Sequence, residues 1–169
     1  MKLETERLIL KPIDVSHVED IFKIRSNRII NQFVNRIPPK TNYDALDFIL
    51  TIKKRTPNNE TFYWGISSKD QQNLIGTICL YRFSEDRTEA EVGYELLPDH
   101  HRKGIMSEAL SAVLNFGFNE LNLQTILAFT NKFNENSKGL LLKQDFVLQE
   151  DSTDVGFADN LVFSLKKNK

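Results

Sequence analysis

The chain has 169 residues, a length that a single domain accommodates, and 40% hydrophobic and 27% charged content with 7 Gly and 5 Pro is an ordinary globular composition. A formal net charge of −1 excludes the basic footprint that nucleic acid demands and gives no argument for an anionic membrane surface. A chain of this size buries about 70% of its unfolded surface, so neither disulfides nor a structural metal is needed. The one cysteine, Cys79, lies in an apolar run and reads as a small core residue rather than a nucleophile. The amino terminus, MKLETERLIL, is charged through its first seven residues and is not a secretory signal. No segment approaches the roughly 18 uninterrupted apolar residues of a membrane span, so a reducing, cytoplasmic location without membrane is expected.

Arg7–Lys11 is a short β-prone run stopped by Pro12. Ser16, with Glu19 three residues on, predicts a capping box for a helix carrying Val18, Ile21, Phe22 and Ile24. Thr41 to Arg55 predicts a second helix with Leu46, Ile49, Leu50 and Ile52 on its apolar side. Three strands follow, Phe62–Ser67, Leu74–Phe83 and Ala90–Leu97, and the polar turns between them imply antiparallel hairpins. Phe62, Tyr63 and Trp64 in the first of these read as core. Gly104 to Leu121 has helical period and Thr125–Thr130 reads as a strand, so strand, helix and strand form a βαβ unit. A helix over Asn134–Gln144 and strands at Phe146–Gln149 and Leu161–Leu165 complete an α+β fold whose sheet is mostly antiparallel.

Pro98 to Leu110, PDHHRKGIMSEAL, admits two chemistries. His100, His101 and Glu108 suggest a metal site, but adjacent residues of an extended chain point apart, and Glu108 has the usual place of a glutamate in a helix's first turn. The anion reading is stronger. A strand ends at Leu97, the chain turns through Asp99–Lys103, and a helix starts near Gly104 with free N–H groups. Gly104 permits positive φ and close ligand approach, and Arg102 and Lys103 place two cations at the rim.

Gly93-Tyr94-Glu95-Leu96-Leu97-Pro98 running into His101-Arg102-Lys103-Gly104-Ile105-Met106-Ser107-Glu108-Ala109-Leu110 resembles motif A of the GNAT acetyltransferases. More narrowly, it resembles the ribosomal-protein-alanine N-acetyltransferase subfamily. Asn134-Glu135-Asn136-Ser137 through Leu141, Lys143 and Phe146 is similar to that subfamily's second block, and Thr5–Leu10 to its first strand. The resemblance implies one acyl-CoA N-acyltransferase domain over residues 1–169. It implies a mixed, mostly antiparallel sheet flanked by about four helices, with a central βαβ unit. His101 and Met106 depart from the family loop, Asp145 replaces a glycine before Phe146, and the segment from Phe146 to Leu161 looks short. Because backbone amides bind the pyrophosphate, the first two changes alter walls more than cradle. Asp tolerates the left-handed conformation that a helix end at Asp145 needs.

The resemblance further implies direct acetyl transfer from acetyl-CoA, the co-substrate, to an amine, without metal or covalent enzyme intermediate. The amides of Leu96 and Leu97 are expected to pair with the pantetheine, one of them polarising the thioester carbonyl. Arg102, Lys103, Gly104, Ile105, Met106 and Ser107 would cradle the pyrophosphate. Asn134 would touch the pantetheine or phosphate arm, and Lys138 either reaches the 3′-phosphate or is a solvated helix lysine. Glu91 is the first choice of base, acting through water, with pairing across the hairpin as the alternative; Asp154 is a weaker candidate. Leu141 stands where many relatives carry an acidic tyrosine, and Ser137 resembles the alternative proton donor, though such a serine also serves as a local cap.

An α-amine with pKa about 7.7–8 costs only about 1 kcal/mol to deprotonate at pH 7, against roughly 4–5 kcal/mol for a lysine. The expected activity is that of an acyltransferase acting on a protein N-terminal amine, as in ribosomal-protein acetylation. A small-molecule amine acetyltransferase and a non-catalytic acyl-CoA-binding module are the alternatives. Between Gln144 and Leu165 lie Asp145, Glu150, Asp151, Asp154 and Asp159 and no Lys or Arg, which favours a cationic acceptor such as a basic peptide, polyamine or aminoglycoside. A monomer or homodimer is expected, with no nucleic-acid partner.

Overall fold

Asp14, not Ser16, starts the first helical region. Its carboxylate accepts from the N–H and hydroxyl of Ser16 at 2.8 and 2.5 Å, and the Asp14 N–H donates to the His17 Nδ1 at 3.0 Å. The first turn is therefore a 3₁₀ turn over Val15–His17, and α1, Val18–Ser26, begins without a side-chain cap. The acid two residues earlier outcompetes the serine as acceptor. The computed structural model describes residues 1–167.

Asn27 caps α2, Arg28–Asn31, a one-turn helix that the sequence reading missed. Thr41 caps α3, Asn42–Arg55, and Asp44 closes its capping box. The later helices are α4, Ile105–Asn119, and α5, Glu135–Lys143. With α2, five helices flank the sheet where about four were expected.

The eight strands are β1 Leu3–Glu4, β2 Leu8–Pro12, β3 Thr61–Ser68, β4 Gly76–Tyr81, β5 Glu89–Leu96, β6 Thr125–Asn131, β7 Val147–Leu148 and β8 Asn160–Lys166. They form one sheet in the order β1-β2-β3-β4-β5-β6-β8-β7, antiparallel except for β5 and β6. α4 is the crossover between those two, as parallel pairing requires. β4 begins at Gly76 rather than Leu74. Leu74 leaves the ladder to fill the space over Gly65, where a Cβ would meet its Cδ1 at 2.5 Å, and its N–H donates to Asp20.

Each face of the sheet has its own core. Trp64, Ile78, Leu80, Val92, Ile126 and Ala128 pack under α4 and α5. α4 buries Met106, Ala109, Leu110, Val113, Leu114, Phe116 and Gly117 there. Each large side chain among them contributes about 1.5–3 kcal/mol on burial. On the other face Ile21, Ile24, Ala45, Ile49 and Leu97 form a second cluster beneath α1 and α3, against which Tyr63 and Phe48 pack. Phe62 and Trp64 are core, as expected, stacked at 6.1 Å between ring centroids. No helix is long and apolar enough to cross a membrane among the described residues.

Candidate active site

The turn before α4 is built to present amides. Pro98–His100 forms a 3₁₀ turn, after which Arg102 (φ 59°) and Gly104 (φ 73°) both take the left-handed conformation. α4 has no side-chain cap, and its first closing bond runs from the Glu108 N–H to the Gly104 carbonyl at 3.0 Å. The N–H groups of Ile105, Met106 and Ser107 lie ahead of that bond, at the positive end of the helix dipole. The side chains of Arg102 and Lys103 are exposed beside them, while that of Met106 is buried in the core.

Arg7, which the sequence reading left without a role, holds this turn from behind. Its Nη1 donates to the Lys103 carbonyl at 3.0 Å and its Nε to Glu108 Oε2 at 2.6 Å. Glu108 Oε1 also accepts from the Arg7 N–H at 2.9 Å and the Thr5 hydroxyl at 2.5 Å. Burial works against the Glu108 charge, but the donors from Thr5 and Arg7 outweigh it and hold the carboxyl below the usual glutamate range. Glu108 is thus an anchor between the β1–β2 turn and α4 rather than a ligand. A Cβ at Gly104 would meet nothing nearer than Arg7 Nη2 at 3.4 Å. Unpaired amides, an open glycine and two rim cations fit a pyrophosphate.

The histidines serve this turn differently. His101 Nε2 donates to the Leu96 carbonyl at 2.8 Å, since a carbonyl only accepts, and so ties the turn to the end of β5. Burial, and then the charge of Lys103, lowers the His100 pKa. Among the described residues no three His, Cys, Asp or Glu side chains are grouped to hold a metal.

β5 and β6 pair from Glu89–Thr125 to Val92–Ala128 and no further. Beyond that rung, among the described residues, β5 keeps its pairing with β4 and β6 with β8, so the two strands part there and leave room for a cleft between them. The Leu97 N–H donates to the Ile75 carbonyl at 2.9 Å, so it is not available to a pantetheine, contrary to expectation. Backbone groups of alternate residues point to opposite sides of a strand. The amides on the β6 side of β5 are therefore those of Leu96 and Tyr94, and not that of Leu97.

On the α5 side of the cleft, Ser137 is buried and its Oγ lies 2.8 Å from the phenolic oxygen of Tyr94. Burial pushes the Tyr94 phenol up to about 12. Asn134 is the N-cap of α5: its Oδ1 accepts from the Ser137 N–H at 3.1 Å, which leaves its amide nitrogen for other partners. Leu141 is fully buried in the core. Lys138 pairs with Glu135 at 2.7 Å along the helix.

The opposite face of β5 presents Glu91, Gly93 and Glu95. Glu91 lies beside Leu127 in the closed part of the sheet and pairs with Arg82 across the hairpin at 3.3 Å, with its side chain 12% exposed. Glu95, beyond the parting of the strands, accepts two bonds from Arg36 and lies 3.7 Å from Arg25. The Arg25 guanidinium stacks over Phe48, 3.7 Å from the ring centroid. Desolvation, followed by the Glu95 charge, pushes the Cys79 thiol up to about 12, which does not suit a nucleophile, although Cys79 is half-buried and not the core residue expected. Asp154 accepts from the Asn160 side chain at 2.8 Å and so serves its own loop. On the same sheet face, Leu127, Phe129 and Val162 line a groove beside Thr153.

Tyr94, Glu95, Arg25 and Arg36 had no role in the sequence reading. Tyr94 and Glu95 lie inside the motif around Gly93 and Pro98; the only further signal was an acid at an inward position of a strand.

A model of the acetyltransferase (GNAT) domain matches residues 7–147. The chain is 36% identical over 144 residues to the N-acetyltransferase YoaA of Bacillus subtilis (strain 168), covering 85% of this chain and 81% of that protein. The chain belongs to the GNAT family and is an acetyl-CoA-dependent N-acetyltransferase. Its fold is similar to that of the ribosomal-protein-S5-alanine acetyltransferase from Vibrio fischeri, with a TM-score of 0.85, 20% identity, and 98% and 96% of the two chains covered. The ribosomal L7/L12 alpha-N-protein acetyltransferase RimL in complex with coenzyme A aligns with a TM-score of 0.83 at 14% identity, over 98% of each chain.

Proposed function

We propose that this enzyme acetylates the N-terminal amine of a protein. The observation that carries the proposal is the state of the carboxylates on the acceptor face. Glu91 is paired with Arg82, and Glu95 with Arg36 and Arg25. Carboxylates that share their charge with arginines are weak at drawing a proton from a lysine or polyamine ammonium. They suffice for an α-amine, which is half neutral near pH 8. The distant structural likeness to ribosomal-protein acetyltransferases supports the same acceptor, and a cytoplasmic setting fits it.

In this reading the amides of Ile105, Met106 and Ser107, with Arg102 and Lys103 at the rim and Gly104 between them, hold the pyrophosphate. The Leu96 and Tyr94 amides orient the pantetheine arm and the thioester carbonyl. Asn134 contacts that arm through its amide nitrogen, and Lys138, on leaving Glu135, meets the 3′-phosphate. Glu91 takes the amine proton through water, and Ser137 gives a proton to the departing sulfur. Glu150 and Asp151, exposed on the segment after β7, favour a basic peptide.

Release of CoA thiol with acetyl-CoA and a panel of amines tests the proposal. Peptides with free N-termini should react faster than N-blocked peptides bearing lysine, and faster than spermidine or an aminoglycoside. Preference for a small polyamine would reject the protein acceptor. Ser137→Ala should lower kcat by about 100-fold, at the lower end of general-acid effects, with acetyl-CoA affinity little changed; an unchanged rate would reject its acid role.

A further inference from the structure

We propose that Tyr94 is a positioning residue that aims the Ser137 hydroxyl at the departing sulfur. The inference rests on the reading of Ser137 as proton donor. The two oxygens lie 2.8 Å apart, and the bond joins β5 to α5 on opposite sides of the cleft. Each hydroxyl can donate or accept, but a phenol is the stronger acid and hence the better donor. Tyr94 O–H therefore points at Ser137 Oγ. The Ser137 N–H is already fixed by Asn134, and its Oγ has no hydrogen-bond partner besides Tyr94 among the described residues. With one lone pair occupied by Tyr94, the Ser137 hydrogen is left to point into the cleft.

The step balances without another reagent. The amine nitrogen bonds to the acetyl carbon, the C–S bond breaks, and its electron pair stays on sulfur. Ser137 transfers its proton to sulfur while Tyr94 stabilises the charge growing on Oγ through its own O–H. The proton lost by the amine returns to Ser137 through solvent, so the amine loses one proton and the thiol gains one. Burial keeps the Tyr94 phenol protonated in the resting enzyme, so its O–H is present when the step begins.

A double-mutant cycle on the full chain tests this. Tyr94→Phe should lower kcat about tenfold, the worth of one well-placed hydrogen bond, with the Kd for CoA by calorimetry unchanged within about twofold. In the Ser137→Ala background the same change should have no further effect. Ser137→Thr, which retains the hydroxyl, should keep more of the rate than Ser137→Ala. Equal loss in both backgrounds, or none in either, would overturn the role of Tyr94 while leaving Ser137 as donor. A silent Ser137→Ala would instead remove the donor on which the inference stands.

Discussion

Arg36 grips Glu95 across 59 residues of sequence, donating to both carboxylate oxygens, with Nη2 and Oε2 at 2.8 Å. The side chains are only 12% and 13% exposed. Arg36 lies in the irregular segment between α2 and α3, and Asn31 accepts from its Nε at 2.8 Å. The pair fastens that segment to the strand that borders the cleft.

Removing one member of such a pair leaves the other charged and poorly solvated. Arg36→Gln should cost about 2–3 kcal/mol in urea denaturation, somewhat less than full burial would give because each side chain keeps some contact with water. It should also raise KM for the amine more than KM for acetyl-CoA. Equal effects on the two would mean that the 32–41 segment does not shape the acceptor site.

Glu108 has a folded-state pKa below its unfolded value. Its contribution to stability is thus complete above the unfolded pKa of about 4.3, and is lost as pH falls through the folded value. The stability gap between the wild type and Glu108→Gln should be constant from neutrality to about pH 5 and shrink below about pH 4. Denaturant titrations at a series of pH values read it directly. The same variant frees Arg7 and should weaken CoA binding about tenfold by calorimetry with a smaller change in kcat, since the cradle and not the chemistry is loosened.

Gly93 sits between Glu91 and Glu95 on the acceptor face. A Cβ there would meet Cys79 Sγ at 3.3 Å and Tyr81 Cε1 at 3.4 Å, tight but tolerable contacts. Gly93→Ala should therefore cost under about 1 kcal/mol in stability. Steady-state kinetics should show KM for the amine raised severalfold and that for acetyl-CoA unmoved. An unaltered amine KM would place the acceptor elsewhere.

The two histidines should separate cleanly. His100→Ala should be nearly silent in both stability and turnover. His101→Ala removes the bond to the Leu96 carbonyl and should cost about 1 kcal/mol by thermal denaturation, with weaker CoA binding. Metal analysis by mass spectrometry should give the same result for both variants and the wild type.

The sequence is legible where short-range signals decide the local structure. The helical period of α4, the helix from Thr41 to Arg55 and the polar turns between β3, β4 and β5 are each signals within a few residues. The left-handed turn at Gly104 was expected, and so was the one at Asp145, found at φ 62°. Where a neighbour competes, the structure departs from the local signal: Asp14 displaces Ser16, and Leu74 leaves its strand to fill the void over Gly65. The contacts across the cleft were beyond reach, because Tyr94 meets Ser137 over a separation of 43 residues and Glu95 meets Arg36 over 59. The commitment of the Leu97 amide followed the same logic, since it depends on the register of β4 and not on any motif.

The short parallel seam between β5 and β6 divides the sheet into two antiparallel plates, β1 to β5 and β6 to β8, joined by four registered residue pairs and the α4 crossover. Such a seam is the natural boundary between two cooperative folding units. A co-substrate that fills the opening past Val92 and Ala128 would act as extra rungs for both plates. Amide exchange in β6 and β8 should then slow on CoA binding as strongly as exchange at the cradle itself. The enzyme without its co-substrate would breathe at the line where the chemistry takes place.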